Sequence, residues 1–292
     1  MTNTLLKLRK KIPDPFLEIL KSVFRASAEF EIKAFIIGAT ARDLIFEYVY
    51  DAKIKRATED IDFGVAVGSW ADYEHLKMAL IATDRFKDDK KNEQRIWWKE
   101  RGAEMKIDLV PFGNLESPAG QIAFPPKGDF VMSTVGFAEA FENSWFLELN
   151  KELTVRIASL AGLALLKFVA YSDRPNARRR DIQDIWFIAK NYLEAGNEGR
   201  LFDENAGDID LLDDDFNYET CGARLLGRDI AQLLNAETKK IIGKTLAEET
   251  DGGILQTIAD IIFKDGLNDD ERYKVILDAF RQLRKGINEQ SK

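Results

Sequence analysis

The sequence predicts an α+β protein, a strand-containing half followed by a half built from helices, and three observations carry that reading. Residues 60–67 alternate apolar with small or acidic side chains, the period of a strand with one buried face. Residues 94–110 and 145–157 each hold two strand-like runs about a short polar turn, as β-hairpins do. From Leu160 onward the apolar residues recur almost wholly at helical spacing. The change falls near residue 158 and predicts one domain over 1–157 and a helical one over 158–292. At roughly 100–200 residues per domain the chain has room for both.

The first expected element is a helix over residues 14–30, where Phe16, Ile19, Leu20, Val23 and Phe24 form one stripe. Residues 34–37 read as a short buried strand that ends at Gly38. Residues 40–50 return to helical character, and Thr40 with Asp43 has the spacing of a capping box. A polar loop over 51–59 leads into the strand at 60–67. There Ile61, Phe63, Val65 and Val67 share one face, and Asp60, Asp62, Gly64 and Ala66 share the other. After a helix over 69–82 comes a hairpin, 94–99 and 104–110, turning at Arg101-Gly102. Met105, Ile107 and Leu109 share a face of its second arm, which leaves Asp108 on the opposite one. Residues 111–129 read as loop, and 145–149 with 153–157 as a second hairpin about Asn150-Lys151. Helices are expected at 160–173, 177–193, 224–234, 237–248, 254–263 and 270–284, with an acidic loop over 203–215. There is no internal repeat and no low-complexity tract.

At 45% hydrophobic and 32% charged residues, the 292-residue chain has the composition of a folded protein. Its net charge of −8 argues against non-specific coating of nucleic acid, which depends on neutralising phosphates with lysine and arginine. A locally captured anionic ligand remains compatible with it. Cys221 has no partner for an internal disulfide, and with His75 as the one histidine there is no ligand set for a structural zinc. A reducing, cytoplasmic setting is the expectation. Lys7, Arg9, Lys10 and Lys11 are followed by Pro13 and Pro15 rather than by the apolar core of a signal peptide. The longest apolar run, near 160–170, is interrupted by Lys167 and falls short of the ~20 residues a bilayer requires, so no membrane partner is expected.

Asp60 and Asp62 stand two apart on a strand, so their carboxylates project from the same side within reach of one shared ion. Magnesium, a hard ion held by one or two carboxylates and substrate phosphates, suits that pair. If the hairpin arm lies beside this strand, Asp108 joins the same face. A solvated strand edge gives the same Asp-x-Asp pattern, so the motif alone is weak. Gly38-Ala39 closes a strand and opens a helix at Thr40, which aims free backbone N–H groups and a helix dipole at one point, as a phosphate site does. An ordinary strand-to-helix turn reads the same way. Lys167, Tyr171 and Arg174 fall at i, i+4 and i+7, a stripe that could hold a triphosphate tail or snorkel at a domain surface. Arg178-Arg179-Arg180 before Asp181 and Asp184 reads as a helix-packing network or as a basic spot for an acceptor nucleic acid. A serine hydrolase finds little support, because His75 lies on an expected surface helix.

In this order, Gly38-Ala39-Thr40-Ala41-Arg42-Asp43, Thr58-Glu59-Asp60-Ile61-Asp62-Phe63 and Ile107-Asp108-Leu109-Val110 resemble the DNA polymerase β-like nucleotidyltransferase superfamily. Lys167, Ala170, Arg174, Arg180-Asp181 and Asp184 resemble the pattern of the AbiEii/AbiGii toxin family within it. The resemblance covers roughly residues 32–190 and implies a polymerase β-like domain with a mixed sheet, followed by the helical domain. It implies transfer of a nucleoside monophosphate from a nucleoside triphosphate to an acceptor, an RNA or tRNA 3′ end or a protein, with Mg2+ or Mn2+ as cofactor. Asp60, Asp62 and Asp108 would be the metal-binding catalytic carboxylates, and Gly38, Ala39 and Thr40 would lie under the phosphates. Lys167 would bind triphosphate as a catalytic residue, with Arg174 beside it in nucleotide binding. Toxins of toxin–antitoxin pairs are frequent in the family, so a cognate antitoxin is an implied partner. The chain departs from the pattern with Ala39 in place of glycine or serine, with a long gap before Asp60, and with Arg180 in place of lysine. Two other readings stay open: a housekeeping tRNA nucleotidyltransferase, suggested by Ala41-Arg42-Asp43, and a non-catalytic nucleotide-binding regulatory module of the same fold.

Overall fold

A computed structural model describes residues 4–52, 60–100, 102–126, 128–202, 211, 217–247, 254–264 and 270–289. These fall into two compact units, Met1–Ser159 and Leu160–Lys292. Most of the two expected loops at 51–59 and 203–215, together with Thr58, Glu59, Arg101 and Glu248, lies outside the described residues.

The first unit runs β1 (Leu5–Lys7), α1 (Asp14–Glu29), β2 (Lys33–Ile37), α2 (Gly38–Asp43) with a π-helical continuation Leu44–Val49, then β3 (Asp60–Val67) and α3 (Trp70–Ile81). It continues with β4 (Phe86–Asp88), β5 (Arg95–Glu100), β6 (Ala103–Gly113), β7 (Gln121–Ala123), β8 (Val131–Ser133), α4 (Phe137–Glu142), β9 (Trp145–Asn150) and β10 (Leu153–Ile157). Eight strands form one mixed sheet in the order β1-β9-β10-β2-β3-β6-β5-β4, and β7 pairs with β8 apart from it. The pairs β1/β9, β10/β2 and β3/β6 are parallel, and the rest are antiparallel.

The parity of β3 decides which side of the sheet is covered. Phe63 meets Phe24 of α1 edge to face at 5.8 Å, and α1 buries Ile19, Leu20 and Val23. Pro15 sits in the first turn of α1, where a missing N–H goes unfelt. Ser69 caps α3 by accepting from the Asp72 N–H, and Tyr73 of that helix donates its hydroxyl to the Leu109 carbonyl at 3.0 Å. On the opposite face Phe35, Phe112 and Phe141 pack edge-on or tilted at 5.4–5.8 Å. Phe35 lies directly over Gly64, where a β-carbon would stand 2.1 Å from its ring.

Several parts of this unit differ from the sequence expectation, among them β7, which lies inside the loop expected over 111–129, and the unforeseen β8 and α4. β1 and β4 are strands of three residues each, too short to show a period. β6 continues through Pro111 to Gly113, although a proline reads as a strand end. The Leu109 N–H points across to the Gln94 carbonyl, just before β5 begins, so the nitrogen of Pro111, two residues on, points beyond the start of β5 and lacks no needed donor, while β3 still pairs with it at Val65. Thr40 and Asp43 do not cap a helix. Helix α2 begins at Gly38 without a side-chain cap, and the Thr40 hydroxyl is engaged elsewhere.

The second unit is α5 (Leu160–Asp173), α6 (Arg179–Lys190), a π-helical turn Leu193–Asn197, α7 (Gly199–Phe202), α8 (Tyr218–Ala231), α9 (Ala236–Thr245), α10 (Ile254–Lys264) and α11 (Asp270–Asn288). Helix α5 is buried on nearly all sides, among them Leu160, Leu163, Leu165 and Phe168, which makes it the central helix of this unit. Helix α8 starts earlier than its apolar spacing predicts because Asn217 caps the N–H groups of Glu219 and Thr220. Helices α8 and α11 cross at Gly227 and Gly286. A β-carbon on Gly286 would lie 2.1 Å from the Arg224 carbonyl oxygen, and one on Gly227 would lie 2.2 Å from that of Leu283. Arg224 and Arg228 both donate to Glu289 beside the crossing. No described helix is long and apolar enough to cross a membrane.

The crossing yields a paired expectation. Gly286→Ala should lower the urea-unfolding free energy by about 1–3 kcal/mol, since backbone cannot yield as a side chain can. Gly243→Ala, on α9 with nothing within 4 Å, should raise it by up to about 1 kcal/mol through helix propensity.

Candidate active site

The register of three strands brings the acidic residues together. In β2/β3 Ile37 stands opposite Asp62, and in β3/β6 Asp62 stands opposite Asp108. Cross-strand partners share a face, so Asp60, Asp62 and Asp108 project from the side opposite Phe63 and Ile107. All three are half-buried.

The chain leaves β2 at Gly38 with φ of +70°, the left-handed region that glycine enters without strain. A β-carbon built there would stand 2.0 Å from Asp62 Oδ2 and 2.9 Å from its Cγ. Glycine is needed twice over, for the turn and for the carboxylate against it. The first N–H groups of α2 therefore begin beside the acidic face, and no side chain caps them. Ala39 is half-buried, and its methyl group offers no hydroxyl.

Thr40 is 2% exposed and donates its hydroxyl to the Asp60 carbonyl at 2.7 Å. That bond ties the first turn of α2 to the strand carrying the carboxylates. Arg42 and Asp43 form a buried pair in the same helix, with Nε donating to Oδ1 at 2.8 Å.

Arg95, which sequence reasoning missed, closes the acidic face from β5. Its Nε donates to Asp108 Oδ1 at 2.7 Å and an Nη to Oδ2 at 2.8 Å, a bidentate fork. Donating to Asp108 holds the guanidinium above its ordinary pKa, and the charges of Asp108, Asp89 and Asp60 add to this against the effect of burial. The signal was in the hairpin: a two-residue turn at positions 101 and 102 pairs Glu100 with Ala103, and counting back sets Arg95 opposite Asp108.

In the second unit Lys167 is buried and donates to Asp181 Oδ1 at 3.1 Å and Asp184 Oδ2 at 2.5 Å. Burial alone would lower its pKa, but the two carboxylates outweigh that and raise it. Arg174 lies just beyond the end of α5, exposed and paired with Asp173 at 3.0 Å, so it does not extend the stripe of Lys167 and Tyr171. Arg179 and Arg180 are exposed in the first turn of α6, and Arg178 is exposed just before it.

For a hard divalent cation, Asp60 and Asp62 are the fitting donors: oxygen ligands on one side of one strand, open to substrate oxygens for the remaining positions. Asp108 lies on the same face, with both oxygens engaged by Arg95. Among the described residues no group of three or more His, Cys, Asp or Glu side chains is arranged to hold a metal together.

The profile of the nucleotidyl transferase AbiEii toxin family, described as part of a type IV toxin–antitoxin system, matches residues 22–252. The chain belongs to this family. It is a nucleotidyltransferase of the AbiEii kind, and the match spans the strand carboxylates, the glycine turn and Lys167. No curated protein matches the chain in sequence. Among solved structures it is similar to a putative nucleotidyltransferase from H. pylori, at 16% identity over 96% of this chain and 100% of that one, TM-score 0.40. It is also similar to the antibiotic-resistance factor ANT(2'')-Ia, at 12% identity over 68% and 97%, TM-score 0.37. A third similar structure is the Thermotoga maritima CCA-adding enzyme complexed with tRNA, at 11% identity over 97% and 85%, TM-score 0.26.

Lys167→Met removes the counter-charge from two half-buried carboxylates and should destabilise the protein by about 3 kcal/mol. Because the folded pKa of Lys167 is raised, its contribution is complete below about pH 10.4 and fades as pH climbs through the raised value. Tyr192, pushed well up by burial and by Asp229, acts with the same sign. Helical circular dichroism should show a thermal midpoint that falls above about pH 10, with a smaller fall in Lys167→Met.

Proposed function

We propose that the chain moves a nucleoside monophosphate from a nucleoside triphosphate to a hydroxyl acceptor, with residues 1–157 as the transferring domain and 158–292 as the helical domain. The observation that carries this is the contact of Gly38 with Asp62, which sets a turn of free N–H groups against the strand carboxylates. The acceptor oxygen attacks the α-phosphorus, the bond from that phosphorus to the β-phosphate bridging oxygen breaks, and pyrophosphate leaves. A magnesium or manganese ion held by Asp60 and Asp62 would offset the phosphate charge and lower the barrier to attack. The N–H groups at Gly38 and Ala39 bind phosphate oxygens and orient the triphosphate. Asp108, once free of Arg95, takes the proton of the attacking hydroxyl. Thr40 acts inward, holding the turn on the strand rather than touching phosphate.

For Lys167 and Arg174 the phosphate-binding role is the one that the family resemblance implies, and Lys167 would share its ammonium with Asp181 and Asp184. Family membership supports a toxin with a cognate antitoxin, acting in the cytoplasm on an RNA 3′ end or a protein. Cys221, a buried thiol that donates to the Leu211 carbonyl, agrees with a reducing compartment.

Incubation with each α-labelled nucleoside triphosphate, Mg2+ and total tRNA or cell protein tests this reading. Label should pass to one acceptor class with the wild type, and Asp62→Ala should lower transfer by at least about a thousandfold with its unfolding midpoint unchanged. Gly38→Ala should lose transfer as well. Equal labelling by Asp62→Ala would overturn the role of the strand carboxylates, and nucleotide binding without transfer to either acceptor class would favour a regulatory module instead.

A further inference from the structure

Both oxygens of Asp108 are bound to a cation of the protein itself. The fork takes one lone pair of each oxygen and offsets the carboxylate's charge, so a second cation meets a weaker donor while it is in place. Arg95 has the means to let go. It is the first residue of β5, its side chain is 22% exposed, and Asp89 and Asp60 also act on its charge. Asp89 lies in the turn just before, where it accepts from Trp97 Nε1 at 3.0 Å and from Asn92 at 3.1 Å. A released guanidinium therefore stays among carboxylates. The register also sets Lys106 opposite Asp60, and among the described residues Arg95 is the cation bonded to Asp108.

We propose that Arg95 is the internal counter-cation of this site, a latch that competes with the divalent ion for Asp108. The proposal rests on the reading of Asp60 and Asp62 as metal ligands. With Arg95 on Asp108 the third carboxylate is neutralised and withheld from the reaction. When a divalent ion and its substrate draw Asp108 away, the guanidinium turns toward Asp89 and the anionic substrate. Arg95 is a positioning residue by this argument, since it acts through Asp108.

Binding of Mn2+ alone to the full chain, read from the EPR signal of the free ion, measures the competition without nucleotide or turnover. Arg95→Gln is expected to bind Mn2+ about tenfold more tightly than wild type, the order of one charge-assisted hydrogen-bonded pair. In an Asp108→Asn background the same substitution is expected to change affinity by less than about twofold, because the contested carboxylate is gone. Arg95→Lys keeps the charge, loses the fork, and is expected to fall between; it also serves should Arg95→Gln fail to fold. Equal affinity of wild type and Arg95→Gln, or an equal gain in both backgrounds, overturns the latch and leaves the metal reading standing. Absence of Mn2+ binding in wild type and variants alike overturns the metal reading and the latch with it.

Discussion

The α-carbon of Gly38 stands so near Asp62 that any larger residue would drive a β-carbon to within 2.0 Å of the carboxylate oxygen. A backbone turn and an acidic side chain share one place in the sheet only because position 38 has no side chain. The next cross-strand pair on the same face repeats the device in reverse, with Phe35 lying over Gly64. The two glycines divide that face, acid at one end and stacked aromatics at the other. The sheet order then sets β2 and β6 on either side of β3, so the turn and Asp108 flank the same two carboxylates.

Electrostatics are balanced differently in the two units. The acidic face of the sheet brings Asp60, Asp62 and Asp108 together with the guanidinium of Arg95, all of them half-buried. In the helical unit Lys167 is enclosed with two carboxylates, and Glu289 is clasped by two arginines, Arg224 and Arg228. Removing the buried Lys167 would leave two mostly covered carboxylates without their counter-charge, so that cluster reports on folding as much as on function. That is why the strand carboxylates, rather than Lys167, are the residues on which activity and stability separate most cleanly.

Much of this was legible in the sequence. Strand period alone set Asp60, Asp62 and Gly64 on one face and put Asp108 opposite Met105, Ile107 and Leu109, whereas the pairing of β3 with β6 that unites them is a long-range contact. The two-residue hairpin turn also sets Arg95 opposite Asp108. Other features lie beyond local pattern. Strands of three residues have no measurable period, and Pro111 is tolerated only because its nitrogen points beyond the start of β5. Thr40 and Asp43 fit a capping box in spacing, yet a tertiary bond to the Asp60 carbonyl takes the hydroxyl. The partners of Lys167 come from the next helix, at distances no window of sequence reveals. The family resemblance rested on the glycine turn, the strand acids and the lysine helix, and the profile match to residues 22–252 establishes that family.

The most direct measurement is a crystal structure with Mn2+ and a nucleoside triphosphate analogue that cannot be cleaved between its α- and β-phosphates. An anomalous manganese peak at Asp60 and Asp62, with phosphate oxygens against the N–H groups of Gly38 and Ala39, is the expected result. Nucleotide bound away from the glycine turn, with the manganese elsewhere, would contradict the central claim that Gly38 and Asp62 together form the reaction centre.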